Sequence, residues 1–303
     1  MYNGIYGLKP SQHRTGMMSI TSCVMGPMAA NVADLTIAYR TMSQPNANCS
    51  TQSKFALSIP PSPSAKRIFG VDRTWWSHAD PRVQEQCNNA LNYFVKEKGY
   101  EIIDIEMPYI EEGQVAHSCI CATELAEIAR RIHPDPTKWL SLAGPANKLV
   151  VGLGSATSAA DYMKYNSMRT LIMRHLAFLF QKYPGLIILT PTSPYIGWPK
   201  TPGDETHGLS NGNFTIRNML YVYLSNLTGI PSLAAPVGYV DPDQGEGKLC
   251  ISLLANGEWG SEEQLLSWAT DAEEYLHETY SEGRRRPDDW ADVFSLAEQQ
   301  NQK

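Results

Sequence analysis

A chain of 303 residues with 43% hydrophobic and 18% charged residues has ordinary globular composition, which excludes disorder, collagen-like repeats and coiled coil as global classes. Its formal net charge of -6 argues against nucleic acid as a partner. No apolar run approaches the roughly 18–20 residues of a membrane span, which predicts no membrane partner.

Met1 to Gly7 has neither the basic nor the apolar region of a secretory signal. After this glycine-punctuated start, Asn31 or Ala30 precedes Val32–Tyr39, whose apolar residues fall at helical spacing. Residues 44–65 hold Pro45, Pro60, Pro61 and Pro63 among Ser, Asn and Thr, the composition of a loop. Arg67–Val71 reads as a strand. Asp80-Pro81 opens a helix that runs to Lys98 and ends at Gly99, and Tyr100–Ile105 reads as a second strand. Strand, crossover helix and strand make the unit of a parallel α/β sheet.

Residues 111–132 are expected to be helical and to stop at Pro134 and Pro136. A long helix is predicted over 155–183, with Ser158 as its cap and Asp161 in the first turn, ended by Gly185. Leu186–Leu189 is fully apolar and reads as a buried strand. A polar, Gly/Pro-rich excursion fills 191–213. A helix then leads to Asn226–Pro231, strands are expected at Leu233–Val237 and Leu249–Leu254, and Glu262 to Tyr280 reads as a closing amphipathic helix.

The six cysteines, Cys23, Cys49, Cys87, Cys119, Cys121 and Cys250, show no C-x-x-C spacing. They predict neither a disulfide framework nor a structural zinc site, and a reducing, cytoplasmic setting. His117 beside Cys119 and Cys121 lacks a fourth ligand and reads as a helix carrying small buried thiols, so no metal is expected. Arg284-Arg285-Arg286, with Asp288 and Asp289 close behind, reads as a solvated helix end rather than a phosphate site. Phosphate loops and dinucleotide fingerprints are missing, and no cofactor is expected. Gly208-Leu209-Ser210-Asn211-Gly212 spells G-x-S-x-G beside His207 and Asp204. The residues before it cannot form the strand that a nucleophile elbow requires, so it reads as a flexible loop.

An ordered set of motifs is more informative. Gly4-Ile5-Tyr6-Gly7-Leu8-Lys9-Pro10-Ser11 with Arg14, then Gly26-Pro27-Met28 and Val32-Ala33-Asp34, resembles the amidase signature family. The resemblance continues through Asp161-Tyr162 with Arg169, Pro191-Thr192, Asn226-Leu227-x-Gly229-Ile230-Pro231, and Leu253–Gly257 with Leu265-Leu266. Its wording is most similar to a fungal subgroup. The resemblance implies an α/β fold with a mixed, mostly parallel sheet flanked by helices, here without its N-terminal part. It makes residues 1–303 one domain: the end of the signature region (1–45), the proline-rich loop (44–65) and a C-terminal α/β portion (66–303).

The family's chemistry is amide hydrolysis by a serine nucleophile, a second serine and a lysine, with backbone N–H groups as the oxyanion hole. The resemblance puts these ahead of Gly4, so no catalytic residue carries over and the chain is expected to be catalytically incomplete. Lys9 and Ser11 read as packing residues of the signature, because nothing in their spacing desolvates the lysine within reach of the serine. Asp34 is expected to tie Arg14 or a neighbouring loop.

The substrate pocket does carry over, onto Tyr195, Trp198, Met219, Tyr221 and Tyr223. These aromatic and apolar residues suggest a small neutral acyl or aryl amide rather than glutamine, and they would equally serve as core. A non-catalytic binding protein and an incomplete gene model of an active amidase are the alternatives. A sheet that loses neighbouring strands is expected to associate with itself or with a partner chain that covers the gap.

Overall fold

The computed structural model describes residues 3–46, 66–208, 211–281, 283–286 and 297–298. Most of the proline-rich loop (47–65), Leu209, Ser210, Asp288 and Asp289 lie outside these residues. The chain runs β1 (Tyr6–Lys9), β2 (Met28–Ala29), α1 (Val32–Met42), β3 (Ile68–Val71), α2 (Arg73–Trp76), α3 (Pro81–Lys98), β4 (Glu101–Asp104) and α4 (Ile110–Ile132). A 3-10 turn (Pro136–Leu142) leads to α5 (Pro145–Ala156), α6 (Ala159–Lys182) and β5 (Leu186–Pro191). Then follow α7 (Asp204–His207), α8 (Gly212–Asn218), α9 (Tyr223–Thr228), β6 (Ser232–Val240), β7 (Leu249–Asn256) and α10 (Glu262–Thr279).

Capping chemistry fixes several of these boundaries. Asn31 caps α1 by accepting from the Asp34 N–H at 2.7 Å. Asp80 caps α3 ahead of Pro81, and Gly99 ends that helix in the left-handed region, at φ 70°. The helix predicted over 155–183 is α6, capped by Ser158 as expected, while residues 155–156 end a separate preceding helix, α5. Thr157 and Ser158 are extended, and the Ser158 side chain caps α6 by accepting from the Asp161 N–H. The preceding α5 escapes sequence reasoning because Gly152 and Gly154 look like loop residues. Gly154 is needed for close approach to α4: a Cβ there would meet the Ala122 carbonyl oxygen at 1.9 Å.

Among the described residues, seven strands form one sheet in the order β2-β1-β6-β7-β5-β3-β4. It is mixed, as expected, but it is not mostly parallel. β3 pairs parallel with β4 and β5, and the other four pairings are antiparallel. The physical reason is connection length. The β3–α3–β4 unit supplies the long crossover that parallel pairing needs, whereas residues 241–248 between β6 and β7 are too few for one. At the far side, β1 pairs antiparallel with β6, with Leu8 opposite Leu233.

Helices α3 and α10 pack on each other and on β6, and α4 gathers α5, α6 and α9 around it. In the core, Phe69 stacks on Tyr100 at 4.1 Å and meets Phe94 edge-on at 5.7 Å. Among the described residues, no helix is long and apolar enough to cross a membrane.

Candidate functional site

Beyond β5 the backbone leaves the sheet and is pinned at once. The Thr192 N–H donates to the Ser252 carbonyl, and the Pro194 carbonyl accepts from the Asp80 N–H at 2.8 Å. The Ser193 hydroxyl accepts from the Tyr195 N–H and donates to Asn218. These bonds hold 192–195 against the start of α3 and the end of α8. The next residues wall a cavity of about 530 Å³ with Tyr195, Trp198, Phe214 and Leu249 on its apolar side and Asp80, Asp243, Gln244 and Lys200 at its polar side. Phe214 organises the aromatic wall. Its ring stacks on Tyr195 at 4.5 Å and meets Trp198 edge-on at 4.6 Å. All three are half-buried and line the cavity.

The polar side is internally compensated. Arg82 donates to both carboxylate oxygens of Asp80, at 3.1 and 3.0 Å, and to Asp243 at 2.8 Å. Hydrogen bonds from Arg82 hold both carboxyls below the usual range. Arg82 is not itself in the lining but pairs with both lining carboxylates, and Lys200 adds a cation at the same side, so the acidic groups facing the cavity are compensated.

The five pocket residues expected from the sequence fall in three places. Tyr195 and Trp198 line the cavity. Met219 closes α8 and is half-buried. Tyr221 and Tyr223 do not line the cavity: they are 0% and 2% exposed and belong to the core. The Tyr221 hydroxyl donates to the carbonyl of Trp75 at 3.1 Å, and both tyrosine rings pack on the Trp75 indole. Burial pushes both phenols well above their ordinary pKa. The alternative of core residues therefore holds for this pair. Phe214 was missed because it sits in the polar run Asn211–Thr215. Its one signal is an aromatic residue three positions after a capping asparagine.

The signature turn is occupied by structural bonds. Lys9 Nζ donates to the carbonyls of Pro10 and Ile230, each at 2.8 Å. Burial outweighs the nearby Glu262 carboxylate and pushes the lysine down to about 7. The Ser11 N–H donates to Glu262, and the Ser11 hydroxyl accepts from the Gly260 N–H. Lys9 thus ties the end of β1 to the residue pair ahead of β6, and Ser11 ties the following turn to the start of α10. The expected tie between Asp34 and Arg14 is not formed: Asp34 is exposed and engaged by Asn31, while buried Arg14 reaches the Tyr39 hydroxyl.

A second polar centre lies away from the cavity. The tip of the hairpin over residues 17–24 points Ser19, Thr21 and Ser22 at the Glu124 carboxylate of α4, which is 2% exposed. Their hydroxyls hold this carboxyl below its usual range against the opposing effect of burial. His117 and Cys121 lie on the same helix face, 3.3 Å apart. No metal-holding cluster of His, Cys, Asp and Glu occurs among the described residues.

The Amidase family pattern matches residues 1–266 of this chain. The fatty acid amide hydrolase of Medicago truncatula is 28% identical over 307 residues, covering 96% of this chain and 48% of the relative. The fatty acid amide hydrolase of Oryza sativa subsp. japonica is 29% identical over 311 residues, again covering 96% of this chain and 48% of that protein. A solved bacterial aryl acylamidase of the amidase signature enzymes superposes with a TM-score of 0.69 at 16% identity, over 94% of this chain and 61% of the other, a likeness of fold. The chain spans about half the length of the curated relatives it matches.

Proposed function

The chain belongs to the amidase family, and on that premise we propose that it serves the hydrolysis of carboxamide C–N bonds by seating an uncharged acyl or aryl group in the aromatic cavity. The observation that carries this reading is the wall of Tyr195, Trp198 and Phe214 facing a charge-compensated rim. A flat neutral group gains by covering aromatic faces. A zwitterionic amino acid would lose its hydration there and its ammonium would have to compete with Arg82 for Asp80 and Asp243. Under this reading residues 195–249 bind and orient the amide, and the serine–serine–lysine chemistry belongs to the stretch that precedes Gly4 in the family.

Calorimetric titration tests the specificity. Acetanilide is expected to bind, glutamine to give no heat, and Phe214→Ala or Trp198→Ala to weaken acetanilide by about tenfold, near 1.4 kcal/mol. Glutamine binding with no response to acetanilide would overturn the proposal. A second reading, ligand binding without turnover, draws on the clamp: Lys9 and Ser11 are held by backbone groups and by Glu262. A fluorophosphonate probe is expected to leave Ser11 unlabelled, and labelled Ser11 would restore it as a nucleophile.

A cytoplasmic setting is part of the proposal, supported by free thiols at Cys23, Cys87, Cys119, Cys121 and Cys250. So is self-association or a partner chain at the β2 edge, supported by exposed Met28 and Ile37. A sharply monomeric chain in sedimentation would remove that part.

A further inference from the structure

We propose that Cys23 and Cys121 form a modification site, a dithiol that a low-molecular-weight disulfide such as oxidised glutathione converts into a cross-link between the hairpin and α4. The two residues are 98 positions apart, yet their meeting is over-determined. His117, Cys121 and Glu124 follow one another at helical spacing on one face of α4. Three hydroxyls of the hairpin converge on Glu124, which fixes the hairpin tip over that face. Cys23 directly follows the last of these, Ser22. Its backbone is closed into the turn by the Met18 N–H donating to its carbonyl, and its own N–H donates to Ser19 Oγ at 2.9 Å. Ser22 Oγ, which donates to Glu124, also lies 3.8 Å from the Cys23 sulfur, so that sulfur sits over the face of α4 that carries Cys121 one turn before Glu124.

The environment divides the labour between the two sulfurs. Hydrogen bonds from Cys121, Ser19 and Ser22 push the Cys23 thiol down to about 6, against its burial and the Glu124 charge. Cys121, the donor of that bond, is held as a thiol. Its other neighbour is His117 Nε2, on an imidazole that burial keeps neutral. Cys23 is also the reachable partner: it is half-buried at a tip flanked by Met18 (67% exposed), Ile20 (47%) and Met25 (45%). The other described cysteines lack this pairing. Cys87 and Cys250 are buried, and Cys119 lies about 200° around α4 from Cys121, on a different face of the helix.

The exchange balances without any further reagent. The Cys23 thiolate attacks one sulfur of the small disulfide, breaking its S–S bond, forming a mixed disulfide and releasing one thiolate. Cys121 then attacks the Cys23 sulfur, forming the internal S–S bond and displacing the second small thiolate. The two protein thiol protons end on the two released thiols, the small disulfide is reduced, and the protein dithiol is oxidised.

The test uses the full chain carrying Cys49→Ser, because Cys49 lies outside the described residues. After incubation with oxidised glutathione and acid quenching, peptide mass spectrometry is expected to find the Cys23–Cys121 cross-link at least about tenfold above any other pairing. Two glutathiones should be released per cross-link, and 6 M urea added before oxidation should abolish the preference. Cys121→Ser should stop the reaction at glutathionylated Cys23, and Cys23→Ser should leave Cys121 unmodified. Wild-type circular dichroism in both variants confirms that they are folded. A different dominant pairing, an equal yield in urea, or glutathionylation of Cys119 in place of Cys23 in the Cys121→Ser chain would each overturn the assignment.

Discussion

Two aromatic groups lie within thirty residues of one another in the chain's second half and end in opposite places. Tyr221 and Tyr223 close on Trp75 in the interior, and the Tyr221 hydroxyl is spent on backbone carbonyls. Tyr195, Trp198 and Phe214 pack more closely among themselves, with ring centroids 4.5 and 4.6 Å apart against 5.6 and 6.3 Å for the interior pair on Trp75, yet line a cavity. Residue type is shared; what differs is the backbone beneath. The interior pair sits on the turn and first residue of α9, against Trp75 of α2 and against α4, whereas Tyr195 and Trp198 hang from the segment leaving β5 and Phe214 comes from α8. Aromatic content alone therefore does not tell a cavity wall from core; the position of the carrying segments does.

The comparison breaks first at Trp75. Truncating this fully buried indole to alanine should cost about 3–5 kcal/mol in urea unfolding, with the loss shared by both tyrosines. A cost below 1 kcal/mol would mean that the interior group is no more packed than the cavity group. The signature clamp is a second interior region with a pH readout. Lys9 titrates near 7 when folded and near 10.5 when unfolded, so between these values the unfolded chain binds more protons. Stability should rise by up to about 2–3 kcal/mol from pH 7 to pH 9 and stay flat, for this group, below 7. Lys9→Met should remove that rise, which unfolding midpoints across the pH series will show.

Smaller effects sharpen the contrast. Glu262→Ala leaves the buried Ser11 N–H without its acceptor and should cost about 1–3 kcal/mol. Tyr221→Phe removes one hydroxyl bonded to carbonyls and should cost about 1 kcal/mol. Trp198→Ala should change stability by no more than about 0.5 kcal/mol while weakening acetanilide. If its unfolding midpoint fell as far as that of Trp75→Ala, the cavity wall would be core after all.

What was legible in the sequence was what local chemistry encodes. Asp80-Pro81 and Gly99 bracket α3, Asn31 starts α1, and Leu186–Leu189 forms the buried strand β5. The ordered motifs carried the family. The site was less legible. Met219, Tyr221 and Tyr223 lie two apart, so on one helix their side chains would alternate by about 200° and could not share a wall. That spacing was a warning against grouping them. Phe214, Asp243 and Leu249 reach the cavity from three separate segments, and no local pattern announces such convergence. The meeting of Glu124 with Ser19, Thr21 and Ser22 spans more than a hundred positions and was invisible for the same reason.

The pairing of β1 with β6 also sets an order of events during synthesis. Lys9 bonds to a carbonyl 221 residues further along, and Leu8 finds its sheet partner in Leu233. On the ribosome, residues 6–9 emerge long before β6 exists. At the usual ~5–20 residues per second the groups of β1 that face β6 wait roughly ten to forty seconds unpaired, although β2 can already pair on the other side. The β3–α3–β4 unit is complete within forty residues and can assemble meanwhile. The signature strand is thus made early and is among the last elements secured, so a chaperone would have most to shield there while the rest of the chain is being synthesised.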